Sequence, residues 1–270
     1  MGTLMLVHGV AHGTWCWKRT KDDLVGRGDD VLAVDLPLTN LEDDATTVRR
    51  ALDEWGRNVV LVGHSYGGLV ISKAAAERTD VQHLVYVAAM MVDGGDVYLE
   101  RMSSFPASAP INAGVELTAD GNFVVPSETA IECFYNECEK SDAAEGAGQL
   151  RPTSASCLAV PTGAEPWRLI PSTYVLCERD RAIHPDFQRW MSARADEVVT
   201  LDTIIRRSCH CPNSSRTCCT VSPTRRAPLR PEPEPTAICP TCVRRLVALG
   251  AVYHPSRMRR LNEDVTRSTC

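Results

Sequence analysis

No run of 18 apolar residues occurs in the 270-residue chain, which excludes a long membrane-spanning helix. A basic n-region is missing too. Met1-Gly2-Thr3-Leu4-Met5-Leu6-Val7 runs straight into a strand pattern, so no secretory signal is expected and a cytoplasmic location is the default. Internal repeats are absent, which argues against solenoid and propeller architectures. What remains at this length is one large domain with an ample core, or one domain plus a tail.

Charge and cysteine favour the second arrangement. Residues 1–202 carry 17 Lys+Arg against 30 Asp+Glu, a net of −13, with five cysteines. Residues 203–270 carry 12 arginines, no lysine, four acids (Glu232, Glu234, Glu263, Asp264) and seven cysteines, a net of +8. The acidic body with thinly spread cysteines has the composition of an ordinary cytosolic enzyme. The expected organisation is therefore a domain over 1–202 and an Arg/Pro/Cys-rich tail over 203–270 without regular structure. Pro231-Glu232-Pro233-Glu234-Pro235 can be neither a helix nor a central strand, and Val243–Val252 is the tail's one apolar patch.

Strand and helix signals alternate through the first part, the mark of a mostly parallel sheet with helices on both faces. Strands are expected at Leu4–His8, Val31–Val34, Val59–Val62, Val81–Ala88, Ser172–Cys177 and Glu197–Leu201. Helices are expected at Trp15–Gly28, Asp43–Trp55, Gly68–Arg78 and Pro185–Ala193. Ala45, Val48, Leu52 and Trp55 recur at helical spacing, and Val81–Ala88 is a near-continuous apolar run suited to a strand buried on both faces. From about 92 to 167 the rhythm is lost. Gly, Pro and Ser clusters surround helical pieces at Ser127–Glu139 and Ser141–Leu150, which predicts a helical cap inserted over a site rather than another sheet layer.

Chemistry concentrates at Gly63-His64-Ser65-Tyr66-Gly67-Gly68, between an apolar β run and a helical pattern. A serine there sits on a sharp strand-to-helix turn, its flanking glycines letting backbone pass close by, with the helix N-terminus facing the reacting atoms. Ser65 is thus the expected nucleophile of a serine hydrolase. Such a serine needs oxyanion donors, and the expected pair is the backbone N–H of Tyr66 and that of Val10, in Val7-His8-Gly9-Val10-Ala11-His12-Gly13. His8 and His12 are expected to hold that loop by hydrogen bonds. Asp180 stands just past a strand in Cys177-Glu178-Arg179-Asp180 and is the expected acid, with Glu178 as its rival.

The motifs His-Gly-x-x-His-Gly-x-Trp, Gly-His-Ser-Tyr-Gly-Gly and Cys-Glu-Arg-Asp-Arg-Ala-Ile with a following Phe-Gln-Arg-Trp resemble α/β-hydrolases. The similar branch groups plant methyl-ester esterases, such as methyl salicylate esterase, with hydroxynitrile lyases, and the resemblance spans roughly residues 3–202. It implies an α/β-hydrolase fold and a cofactor-free serine esterase with a helical cap. The implied partner is a small-molecule ester, with no nucleic-acid or membrane partner. The lyases carry Thr where this chain has Gly9, which favours the esterase side. At His184, where relatives more often have Pro, the readings are a pocket-mouth residue or a neutral surface change.

The resemblance also implies a catalytic histidine a few residues past the last strand, followed by a closing helix. Here Asp202-Thr203 is followed by Ile204-Ile205-Arg206-Arg207-Ser208-Cys209-His210, and neither feature is present. A change of reading frame near Thr203 accounts for the charge, cysteine and pattern breaks together. Permitted codons for Ile204–Cys219, read from the third base of the Ile204 codon, allow His-Ser-Pro-Phe-Leu-Ser-Leu-Pro-Glu-Leu-Val-Glu-Asn-Leu-Leu. That string supplies a histidine at the place of Ile205, a turn and an amphipathic helix. Two readings treat the tail as genuine. His210 could swing in as a substitute base, or Cys209-x-Cys211, Cys218-Cys219 and Cys239-x-x-Cys242 could bind zinc with His210. No regularly spaced pair of Cys-x-x-Cys knuckles exists, so no metal is expected. The expected activity is hydrolysis of a small carboxylic ester, with an impaired scaffold lacking its base as the alternative and a hydroxynitrile lyase a more distant one.

Overall fold

The computed structural model describes residues 2–56, 58–105, 111 and 114–202. The tail, His210, the zinc reading and the frame change near Thr203 lie outside the described residues. Six parallel strands form the central sheet: β1 (Thr3–Val7), β2 (Asp30–Val34), β3 (Val59–His64), β4 (Val81–Val87), β8 (Ser172–Cys177) and β9 (Glu197–Leu201), in the order β2-β1-β3-β4-β8-β9. The expected mostly parallel sheet is present. Side chains on β1 explain its apolar run. Met5 and Val7 enter one core layer with β3's Leu61, Leu4 and Leu6 enter the opposite layer with Val60 and Val62, and all four β1 side chains are fully buried.

Helices α2 (Leu41–Trp55) and α3 (Gly67–Ala74) contribute to the first layer, and α1 (Lys18–Gly26) contributes Leu24 to the second. The Asn40 side chain caps α2 by accepting the Asp43 N–H, and Glu42, Asp43 and Asp44 fill the first turn, where acids complement the helix dipole. The segment expected as one helix from Trp15 begins as a 3-10 turn (Thr14–Trp17) before α1.

The inserted region departs from expectation in one respect. Besides the helices α4 (Tyr98–Met102), α5 (Ser127–Phe134) and α6 (Lys140–Gly148), it holds a small antiparallel sheet of β5 (Glu116–Leu117), β6 (Asn122–Val124) and β7 (Thr153–Ser154). The cap is therefore not purely helical. Asp120-Gly121 supplies the reason: Gly121 takes φ +79°, and the Thr118 N–H donates to Asn122 O, closing a tight hairpin. Strands of two and three residues are too short to show an alternating pattern. Pro185 then opens the last described helix, α7 (Pro185–Ser192), between β8 and β9.

Candidate active site

The turn between β3 and α3 is set by steric fit. Ser65 takes φ +52°, a left-handed conformation that costs a non-glycine residue about 1–2 kcal/mol and persists only under restraint from its surroundings. A Cβ on Gly63 would meet Gly67 O at 2.5 Å, and one on Gly67 would meet Val7 O at 2.6 Å. Neither position can carry a side chain without backbone movement. The Ser65 carbonyl accepts from the N–H groups of Gly68 and Met90, both at 2.9 Å, which fastens the turn to α3 and to the segment after β4.

The loop after β1 lies directly on this serine. A Cβ on Gly9 would come within 2.8 Å of Ser65 Cβ and 3.2 Å of Ser65 Oγ. The orientation of the Gly9–Val10 peptide follows from His8. Its Nε2 accepts the Leu36 N–H at 3.0 Å, so Nδ1 carries the proton and donates to Gly9 O at 2.8 Å. In a trans peptide the carbonyl and the N–H point opposite ways, so the Val10 N–H is directed away from the buried His8 ring. Arg151, from the inserted region, ties this loop to the segment after β2, donating to His12 O (2.8 Å), Leu36 O (2.7 Å) and Asp35 Oδ1 (2.8 Å). His12 contacts Val10 O through Nδ1 (2.7 Å) and the Tyr135 hydroxyl through Nε2 (3.0 Å). The loop-holding roles expected of His8 and His12 match these bonds.

A cleft open to solvent joins these parts. Ser65 and Asp180 line it together with Val10, His12 and His64, and Phe134 of α5 contributes from the cap. Asp180 keeps a partial opening to the cleft, but protein encloses its carboxyl otherwise. Desolvation pushes it up to about 6, although the N–H groups of Ile183 (3.0 Å) and Ala182 (2.7 Å) donate to Oδ1 and pull the other way. Glu178 sits on the exposed side, paired with Arg189 at 3.2 Å, and does not line the cleft. His184 does not line it either. Its Nδ1 accepts the Asp186 N–H and caps α7, a structural use that neither sequence reading of His184 anticipated.

Two further residues, to which the sequence assigned no role, support the site. Gln188 on α7 accepts the Cys177 N–H at 3.0 Å and donates to Ile183 O at 2.9 Å, holding both ends of the loop that bears Asp180. Asp44 on α2 accepts the Tyr66 hydroxyl at 2.6 Å. Asp44 lies in the acidic first turn of α2 and Gln188 within the Phe-Gln-Arg-Trp string of α7, and only the folded chain reveals their partners.

Among the described histidines, none bonds to Ser65 or Asp180. Those lining the cleft are His12 and His64, and the His64 Nδ1 is buried without a hydrogen-bond partner. β9 ends beside the Asp180 loop, where Glu178 N–H donates to Leu201 O at 2.9 Å and Arg179 to Asp202 O at 3.0 Å. The described residues contain no cluster of three or more His, Cys, Asp or Glu able to hold a metal, and no helix long and apolar enough to cross a membrane.

A parallel sheet with a strained serine after its third strand and a buried carboxylate after a later one, both opening on one cleft, defines an α/β-hydrolase. The chain belongs to the alpha/beta hydrolase family, which it matches over residues 4–217. It is similar to Methylesterase 9 of Arabidopsis thaliana, 28% identical over 215 residues that cover 69% of this chain and 83% of that protein. Similarity to Alpha/beta hydrolase nvfD of Aspergillus novofumigatus is 28% over 159 residues, spanning 54% of this chain and 62% of that protein's length. The crystal structure of polyneuridine aldehyde esterase superposes with a TM-score of 0.63 at 21% identity, covering 75% of this chain and 91% of that one, and shares the fold.

Proposed function

We propose that this chain is a carboxylic-ester hydrolase acting on a small, largely apolar ester, with Ser65 as nucleophile. The observation that carries the reading is the left-handed Ser65 at the floor of a cleft shared with Asp180, with the Gly9–Val10 peptide packed on it. Ser65 Oγ attacks the ester carbonyl, and the N–H groups of Val10 and Tyr66 receive the developing oxyanion. The alcohol departs with a proton from a histidine base, water then attacks the acyl-serine, and the acid is released. Asp180 orients that histidine and balances its charge. No step calls for a cofactor. Gly9, at the position where the hydroxynitrile lyases carry Thr, favours hydrolysis over hydroxynitrile cleavage.

The sequence after Asp202-Thr203, which lacks the histidine that the resemblance implies there, favours a second reading, a scaffold whose base is missing. Removing one triad member leaves only about 10³–10⁴-fold catalysis over water. Turnover of a chromogenic short-chain ester separates the two. The assay compares the chain as written with a form carrying His-Ser-Pro and the helix that follows it in the alternative frame, starting from position 205. Activity in both, abolished by Ser65→Ala, assigns the base to the existing tail, with His210 as its source. Activity only in the altered form establishes the missing base. No activity in either form overturns the hydrolase reading.

A further inference from the structure

Behind the elbow, on the side away from the cleft, lies a buried polar junction that the reaction scheme does not use. Asp44, Tyr66 and Cys157 are all fully buried. Asp44 Oδ2 accepts the Tyr66 hydroxyl at 2.6 Å and the Cys157 thiol at 3.7 Å, while Oδ1 accepts the Leu38 N–H at 2.8 Å. Leu38 itself takes φ +59°, and its carbonyl accepts the Ser154 N–H at 3.0 Å. The Ser156 hydroxyl donates to Thr39 O at 2.8 Å. One carboxyl thus joins α2, the loop after β2, the nucleophile turn and, at Cys157, the turn that follows β7.

Burial of this kind has a cost. Desolvation raises the Asp44 carboxyl above the usual carboxylate range, and the three donors only partly reverse that. An apolar pair of similar volume would stabilise the fold at least as well. What the polar group adds is direction, since a short O–H to carboxylate bond fixes the Tyr66 ring at one distance and angle. Tyr66 is also the residue whose N–H follows the nucleophile, at the N-cap of α3 (φ −52°, ψ −32°). Its backbone is continuous with the strained Ser65, so the ring anchor restrains the elbow from behind.

We infer that Asp44 is a positioning residue that, through the Tyr66 hydroxyl, holds the Tyr66 N–H at the oxyanion position and makes that position responsive to the seating of the cap. The inference rests on the hydrolase reading for its catalytic meaning, but not for its structural test. Asp44→Asn keeps an acceptor for Leu38 N–H and a polar partner for Tyr66. Tyr66→Phe and Asp44→Ala remove the anchor.

The experiment measures hydrogen exchange of the full chain across residues 63–70, with residues 81–88 of β4 as an internal reference. It also measures kcat and KM for a short-chain ester in whichever form of the chain hydrolyses it. Tyr66→Phe and Asp44→Ala are expected to speed exchange at 63–70 about tenfold or more relative to the reference. They should lower kcat about 10- to 100-fold, short of the 10²–10³-fold that follows outright loss of a donor, with KM within about twofold. Asp44→Asn should restore most of both. Unchanged exchange at 63–70 in Tyr66→Phe and Asp44→Ala overturns the proposal, as does a loss confined to KM. If no form hydrolyses an ester, the hydrolase reading fails separately, and the exchange result still decides the role of Asp44.

Discussion

Replacing Asp180 by asparagine isolates the electrostatic state of the cleft. In the folded chain the Asp180 carboxyl titrates at about 6, against an ordinary value of 3.8, because burial disfavours its charge. A folded pKa above the unfolded one means that the native state binds the proton more tightly. Stability from this group is therefore present below about pH 4 and is lost as pH rises through 6. A shift of about two units corresponds to about 3 kcal/mol at neutral pH, an upper value for a group with an opening to the cleft. The amide of Asp180→Asn would keep an oxygen for the Ala182 and Ile183 N–H groups and would have no charge to desolvate. Urea unfolding at pH 4 and pH 7.5 tests this. The stability of Asp180→Asn relative to the unsubstituted chain should rise by about 2–3 kcal/mol between the two pH values. A difference that stays flat or falls with pH would refute the reasoning. It would show that burial does not disfavour the Asp180 charge.

Other substitutions probe the remaining parts. Gly9→Ala places a methyl 2.8 Å from Ser65 Cβ, so kcat should fall about 100-fold or more while circular dichroism stays native; retention of activity would contradict the close packing. His8→Ala frees the Gly9 carbonyl and should lower kcat about tenfold with little change in KM, read from steady-state kinetics. Gln188→Ala removes the bonds to Cys177 and Ile183 and should cost about 1–3 kcal/mol in urea unfolding; a cost under about 0.5 kcal/mol would show that the Asp180 loop is held otherwise.

Much of the site was legible because its parts are local. Gly63, Ser65 and Gly67 lie within five residues; the steric reason for Gly63 lies in the turn itself, while that for Gly67 is the backbone of Val7 and His8 packed against it. Asp180 was legible from its place past a strand end, and β4 from the near-continuous apolar run Val81–Ala88. The cap's small sheet escaped because β5, β6 and β7 have two or three residues each, too few to register a period. Asp44 and Gln188 escaped for a different reason. Each is a polar residue on an otherwise ordinary amphipathic helix, and its significance lies in partners 22 and 11 positions away. The capping role of His184 was missed although Pro185, at the first position of the expected helix, marks the residue before it as the cap.

The central claim is that Ser65 is the residue that takes the acyl group. It is tested most directly by incubating the chain with a chromogenic ester or an alkyl fluorophosphonate, quenching, and locating the adduct by peptide mass spectrometry. The account predicts one covalent adduct on the peptide containing Ser65, absent in Ser65→Ala and weakened in Gly9→Ala. An adduct on another residue, or one that persists undiminished in Ser65→Ala, would contradict it.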